Sequence, residues 1–196
     1  MNRITDAEIE KVANEFGLEF KVVKTVLLIE SAGSGFDTKT GLVKIQFEPH
    51  VFHRELGAKK IVSTLKLITG TLYKLTIGQF IIENKVDVQS KEWEAFNSAK
   101  KINEDAAYRA TSFGLGQIMG FNHKVSGYAS AKEMADDFSK GEINQLRGMM
   151  NFIKSQPKMF TALKTKDWET FARYYNGASY KKFSYDTKLK QTYSKL

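Results

Sequence analysis

Apolar positions recur at helical spacing over most of the chain, and each helix-like stretch opens on a recognisable cap. Thr5 followed three residues later by Glu8 has the form of a capping box and predicts a helix through about Phe16, stopped by Gly17. A second helix is expected from Phe20 to Ser31, with Val22, Val23, Val26, Leu27 and Ile29 buried and Lys21 and Lys24 on its exposed side. The segment Gly33 to Gly41 is rich in turn formers. After it, Val43, Ile45 and Phe47 alternate with Lys44 and Gln46, so Leu42 to Phe47 predicts a strand, half of a small hairpin.

Pro49 fits the first turn of a short helix carrying His50, Val51, Phe52 and His53, ended by Gly57. Lys59 to Ile68 has a helical pattern, whereas Thr71 to Ile77 fits strand and helix equally well. Further helices are expected from Ser90 to about Ile102, from Glu104 to Thr111, and from Ser130 to Phe138 with Glu133 completing a capping box. Ser139 and Glu142 repeat that signal for a long helix to about Ser155, which Pro157 terminates. Asp167 opens another through Trp168–Ala172, and Ser184 caps a last one reaching Tyr193. The fold class is therefore mainly α (α+β), helical with a small β-hairpin. Residues 1–196 show no linker, repeat or low-complexity run and are expected to form a single domain.

Composition narrows the function classes. Of 196 residues, 42% are hydrophobic, with 14 Phe, 8 Tyr and 2 Trp, which excludes a mainly disordered chain. The absence of cysteine excludes disulfides, a thiolate metal site and a Cys nucleophile. The first residues are polar, so no signal peptide is expected, and no run approaches the roughly 20 apolar residues of a membrane span. The protein is expected to be made in the cytoplasm without stable membrane insertion. A formal charge of +8 favours polyanionic partners. The Lys residues are spread along the chain in pairs such as Lys59-Lys60 and Lys181-Lys182, with no basic block.

Four segments carry candidate chemistry. Glu30 ends an apolar helix just before a glycine turn; a carboxyl facing apolar surroundings resists ionisation and holds a proton for delivery. Cleavage of a glycosidic bond needs such a donor. Glu48 closes the predicted strand and supplies a second carboxylate, with Asp37 in the intervening turn as a further candidate; a cap on the helix opening at Pro49 is the structural alternative for Glu48. The run Ser112 to Gly120 sets glycines on either side of Gln117, whose amide suits a sugar hydroxyl or a carboxylate. Tyr174 to Tyr180 offers ring faces and the Asn176 amide at a helix end.

Taken in order, Glu30 to Phe36, Phe47 to Phe52, Ser112 to Gly120 and Tyr175 to Tyr180 resemble the N-acetylmuramidase family of phage endolysins, within the lysozyme-like superfamily. The approach from Asp167-Trp168 to Phe171-Ala172 is also similar to that family. The likeness runs from the helix at Asp6 to Tyr193, while Ala58 to Val88 matches no pattern of the family. It implies a lysozyme-like helical fold, bacterial peptidoglycan as substrate, and hydrolysis of the β-1,4 bond between N-acetylmuramic acid and N-acetylglucosamine. Glu30 is implied as general acid, Glu48 or Asp37 as second carboxylate, and Gln117, Tyr175, Asn176 and Tyr180 as substrate contacts. Phe113 stands where relatives often carry Trp. Goose-type lysozymes and lytic transglycosylases share a similar motif order, so a transglycosylase on the same bond is the alternative. No cofactor is implied. Many relatives carry a separate wall-binding module, and none is expected beside the catalytic domain in residues 1–196. The substrate would be reached through a membrane pore or a secretion machine, with an immunity partner if the protein is a secreted effector.

Other classes find less support. A nucleic-acid binder fits the net charge but no reading motif is present. His50 and His53 lack a His-Glu-x-x-His setting, and His123 is remote in sequence, so no metal site is assigned. Ser31 and Ser112 lack a nucleophile elbow. Trp93 and Trp168 are read as core.

Overall fold

A computed structural model describes residues 3–31, 33–57 and 88–196. The helix expected at 59–68 and the undecided stretch 71–77 lie outside the described residues. Helix α1 (Asp6–Phe16) opens on the full capping box: Thr5 accepts from the Glu8 N–H, and Glu8 accepts from the Thr5 N–H at 2.8 Å. Gly17 closes it in the left-handed conformation. Helix α2 (Phe20–Glu30) buries Val22, Val23, Val26 and Leu27 as expected, but Thr25 takes an inward position while Ile29 is only partly covered. Lys24 reaches back to Asp6 at 2.7 Å, clamping α2 to α1.

The strand prediction holds in part. Strand β1 is Ile45–Phe47, and Val43 instead forms an isolated bridge to Phe36 across the glycine turn. Its partner is not local. β1 pairs antiparallel with β2 (Thr111–Phe113), with Ile45 opposite Phe113, and β2 pairs with β3 (Ile118–Met119) to complete a three-stranded sheet. The hairpin expected at Leu42–Phe47 is reduced to the Phe36–Val43 bridge, and the hairpin of this sheet is the β2–β3 pair, far along the chain. Helix α3 (Pro49–Leu56) follows β1 with Pro49 in its first turn and Gly57 at its end.

Helix α4 (Gln89–Lys100) lies along the outer edge of β1. Gln89 exchanges two hydrogen bonds with the Ile45 backbone, Glu92 accepts from the Phe47 N–H at 2.8 Å, and the Trp93 indole donates to the Val43 carbonyl. Side chains thus satisfy backbone groups that an edge strand leaves open. Helix α5 (Glu104–Arg109) stops short of the expected Thr111, which is drawn into the sheet. Its hydroxyl still donates to the Ala107 carbonyl.

Helix α6 (Ala131–Phe138) begins at Ser130, which accepts from the Glu133 N–H. Helix α7 (Glu142–Lys154) begins after Gly141, not at Ser139. The Ser139 hydroxyl is spent on the Asp136 carbonyl, and Glu142 turns into the protein. Leu146, Met149, Met150 and Ile153 make α7 the central core helix, with Gly148 allowing the Phe138 ring to lie close against it. Pro157 does not merely end α7: it occupies the first turn of α8 (Pro157–Thr165), a helix the sequence reading did not resolve. Helix α9 (Trp168–Asn176) is capped by Asp167, and α10 (Tyr185–Lys195) closes the chain. Ser184 precedes α10 in the left-handed conformation without a side-chain cap bond. Trp168 is buried and Trp93 partly so, both packed in or against the core.

Candidate active site

Glu30 ends α2, where one of its carboxylate oxygens meets the end of α9. The Asn176 Nδ2 donates to Glu30 Oε2 at 2.8 Å. Glu30 Oε1 is buried with no hydrogen-bond partner among the described residues, as is Asn176 Oδ1. Burial pushes the Glu30 carboxyl up to about 7, with the Asn176 bond pulling modestly the other way. At neutral pH a large share of the molecules hold a proton on this side chain.

Tyr175 packs beside it. Its ring stacks on Phe171 at 5.5 Å and stands edge-on to Phe152, and its hydroxyl donates to the Gly116 carbonyl at 3.2 Å. Burial first, and the Glu30 charge second, hold the phenol well above its ordinary pKa. A Cβ on Gly116 would come within 3.1 Å of the Tyr175 hydroxyl and 2.9 Å of Met149 Cγ, which is why glycine stands there. The β2–β3 turn is thereby docked onto α9 next to Glu30.

Gln117 sits at the tip of that turn, exposed, with φ at 45°. A non-glycine residue in the left-handed region costs on the order of 1 kcal/mol, and such strain concentrates at functional positions. Its amide is bonded to nearby backbone and to Ser112: Nε2 donates to the Gly114 carbonyl at 2.9 Å and to the Lys44 carbonyl at 3.4 Å, and Oε1 accepts from the Ser112 hydroxyl at 3.0 Å. Among the described residues Gln117 bonds no carboxylate.

Glu48 lies just after β1, fixed by its N–H donating to the Ala110 carbonyl. It precedes α3 without making a side-chain cap bond, so the capping alternative is not used. Its carboxylate is 3.4 Å from His50 Nε2 and largely shielded. Next to it is a residue the sequence reading missed. Glu92 is buried, and burial together with the nearby Glu48 charge pushes its carboxyl up to about 7 against the Phe47 N–H bond. Nothing local in α4 announces this; only the arrival of the β1 edge buries it. His123 is buried with Nδ1 at 3.0 Å from the Tyr128 carbonyl.

Two predicted residues are bonded elsewhere. The Asp37 carboxylate accepts from the Thr40 N–H at 2.8 Å, and that bond holds its pKa below the usual range; it builds its own turn. Tyr180 is buried in the 3₁₀ turn 180–183, with its hydroxyl donating to Glu169 rather than reaching Glu30. The structure thus brings Glu30, Asn176 and Tyr175 together beside the hairpin of Gln117, and groups Glu48 with His50 and Glu92.

The profile described as N-acetylmuramidase (Muramidase) matches residues 19–196. The chain belongs to the N-acetylmuramidase family. Among solved structures it is similar to the crystal structure of Burkholderia AP3 phage endolysin, with a TM-score of 0.85 and 28% identity, covering 98% of this chain and 70% of that one. No curated protein matches the chain in sequence. This muramidase is a glycoside hydrolase of the lysozyme type acting on peptidoglycan of the cell wall. None of the helices in its described residues is long and apolar enough to cross a membrane.

Charge on the muramidase is less even than its spread of lysines suggests. Residues 154–196 hold ten Lys and Arg against three Asp and Glu, a net +7 of the chain's +8. Lys182 lies over the exposed Phe183 ring, which neighbours Tyr185, itself under Lys188. A polymer carrying carboxylates meets this end of the molecule favourably.

Proposed function

We propose that Glu30 is the general acid of this muramidase, cleaving the β-1,4 bond between N-acetylmuramic acid and N-acetylglucosamine. The single observation that carries the reading is the state of Glu30: a buried carboxyl near pKa 7, one oxygen held by Asn176 and the other without a partner. A protonated Oε1 has no acceptor among the described residues and is placed to donate to the glycosidic oxygen as the C–O bond breaks. The departing sugar leaves as an alcohol and Glu30 becomes a carboxylate, recharged from solvent. The second carboxylate is Glu48, which takes a proton from the water whose oxygen bonds the anomeric carbon, or attacks that carbon itself, in which case water then displaces Glu48 from the sugar and gives its proton to the Glu30 carboxylate. A gap of about 6.5–9.5 Å to Glu30 corresponds to the first route and about 5 Å to the second.

Asn176 orients Glu30 and offers its unpartnered Oδ1 to a substrate N–H, Tyr175 walls the site, and Gln117 offers an exposed tip for sugar contacts. In this reading residues 1–196 act as one catalytic domain. The protein crosses the membrane through a pore or secretion machine, and an immunity partner accompanies it only in the secreted case. Mass analysis of digested peptidoglycan tests the reaction type: hydrolysis leaves reducing muramic ends, and anhydromuramic ends would overturn it in favour of a transglycosylase.

A further inference from the structure

Two loops flank Glu30: the turn that follows α2 and the β2–β3 hairpin turn that carries Gln117. Both are tied to a single turn of α7. The Glu142 carboxylate, buried in the protein, accepts three hydrogen bonds: from the Ser34 hydroxyl at 2.9 Å, the Gly35 N–H at 2.7 Å and the Ile4 N–H at 2.8 Å. One turn further on, the fully buried Gln145 bonds the other loop. Its Oε1 accepts from the Leu115 N–H at 2.9 Å while its Nε2 donates to the Phe138 carbonyl at 2.9 Å. Residues 142 and 145 stand on the same face of the helix, three positions apart.

The glycines of both loops are cut to fit this pair. A Cβ on Gly35 would fall 1.8 Å from Gln145 Oε1, and one on Gly114 would fall 2.6 Å from the same atom. The amide of Gln145 therefore occupies the space that side chains at 35 and 114 would need, and it lies where the two loops meet. Such fully satisfied buried networks fix one arrangement of the segments they join.

We propose that Glu142 and Gln145 are positioning residues of the hydrolytic reaction, setting the loop behind Glu30 against the hairpin turn of Gln117. The proposal rests on the reading of Glu30 as general acid. Glu142 and Gln145 hold the walls of the site without touching the sugar. With the network intact, Gly116 stays seated on Tyr175 and Glu30 stays dry. Among the described residues, the groups facing Glu30 are the Asn176 amide and the Tyr175 phenol, both uncharged in the working range, so loss of dryness is what would move its titration.

The test compares the whole chain with its Gln145→Ala, Glu142→Gln and Glu30→Gln variants on purified peptidoglycan across pH, with circular dichroism to establish folding at the assay temperature. Gln145→Ala is expected to lower kcat about tenfold while KM stays within about twofold, the mark of lost positioning and not of lost substrate binding. Its alkaline limb is expected to move to lower pH, because a wetter Glu30 loses its proton sooner. Glu142→Gln keeps one acceptor and the size of the side chain, and is expected to shift the same two readouts in the same direction by a smaller factor. It decides the matter if Gln145→Ala does not fold. Folded variants with wild-type kcat and an unmoved alkaline limb overturn the proposal, as does a fall in kcat with the limb unmoved, which is what general loosening gives. An inactive Glu30→Gln alongside those results leaves the general acid standing, whereas a fully active one removes the reading beneath the proposal.

Discussion

Asn176 Nδ2 and Glu30 Oε2 meet at 2.8 Å although 146 positions separate them in the chain. The bond favours the charged form of Glu30 and burial opposes it, and burial wins. Replacing Asn176 with Leu keeps the bulk and removes the donor, so Glu30 should bind its proton still more tightly. The expected result is an alkaline limb displaced to higher pH, with kcat/KM lowered about tenfold through lost orientation of the acid. A pH–rate profile checks both parts.

Glu48→Ala removes the carboxylate assigned to the water or the anomeric carbon. A loss of roughly 10²–10⁴ in kcat is expected, the range of a missing general base. Initial rates on purified peptidoglycan measure it, and an unaltered rate would take Glu48 out of the mechanism.

Stability should fall as pH rises. Glu30 and Glu92 have folded pKa values near 7, above the ordinary carboxyl value of 4.5. Below pH 4.5 both states are protonated and nothing is lost; through pH 7 the folded state must ionise against burial while the unfolded chain has already done so. Glu92→Gln keeps an acceptor for the Phe47 N–H and removes that charge. It is expected to gain about 2 kcal/mol over the wild type above pH 8 and nothing at pH 4. Denaturant midpoints at the two pH values decide this.

The charge skew predicts salt-sensitive retention on the wall. Reversing Lys182 and Lys188 to Glu should weaken sedimentation with insoluble peptidoglycan more than reversing the exposed Lys11 and Lys39. The difference should shrink as ionic strength rises, since exposed charges are screened over about 8 Å at physiological salt.

Much of the helical frame was legible because caps are local chemistry. Thr5 with Glu8, Ser130 with Glu133, and Asp167 with Thr170 each act within one turn. The burial of the Glu30 carboxyl was legible for a similar reason, since it stands at the end of an apolar run before glycines. What escaped was non-local. β1 waits for Thr111–Phe113, and Glu92 gains its burial only when the Phe47 backbone arrives from 45 positions away. Ser139 and Glu142 imitate a capping box, yet Glu142 bonds Gly35, 107 positions off, because a buried acceptor shared by three donors outweighs a surface cap. Pro157 shows the ambiguity of a helix breaker: the feature that bars it from α7 suits it to the first turn of α8.

The central claim is that the Glu30 proton goes to the leaving sugar. Initial rates of wild type and Glu30→Gln on purified peptidoglycan from pH 5 to 9 test it most directly. The account predicts a wild-type rate that declines through about pH 7 and a variant at least about 10³-fold slower with no such limb. A Glu30→Gln protein that clears the wall at the wild-type rate, with the same limb, would contradict it.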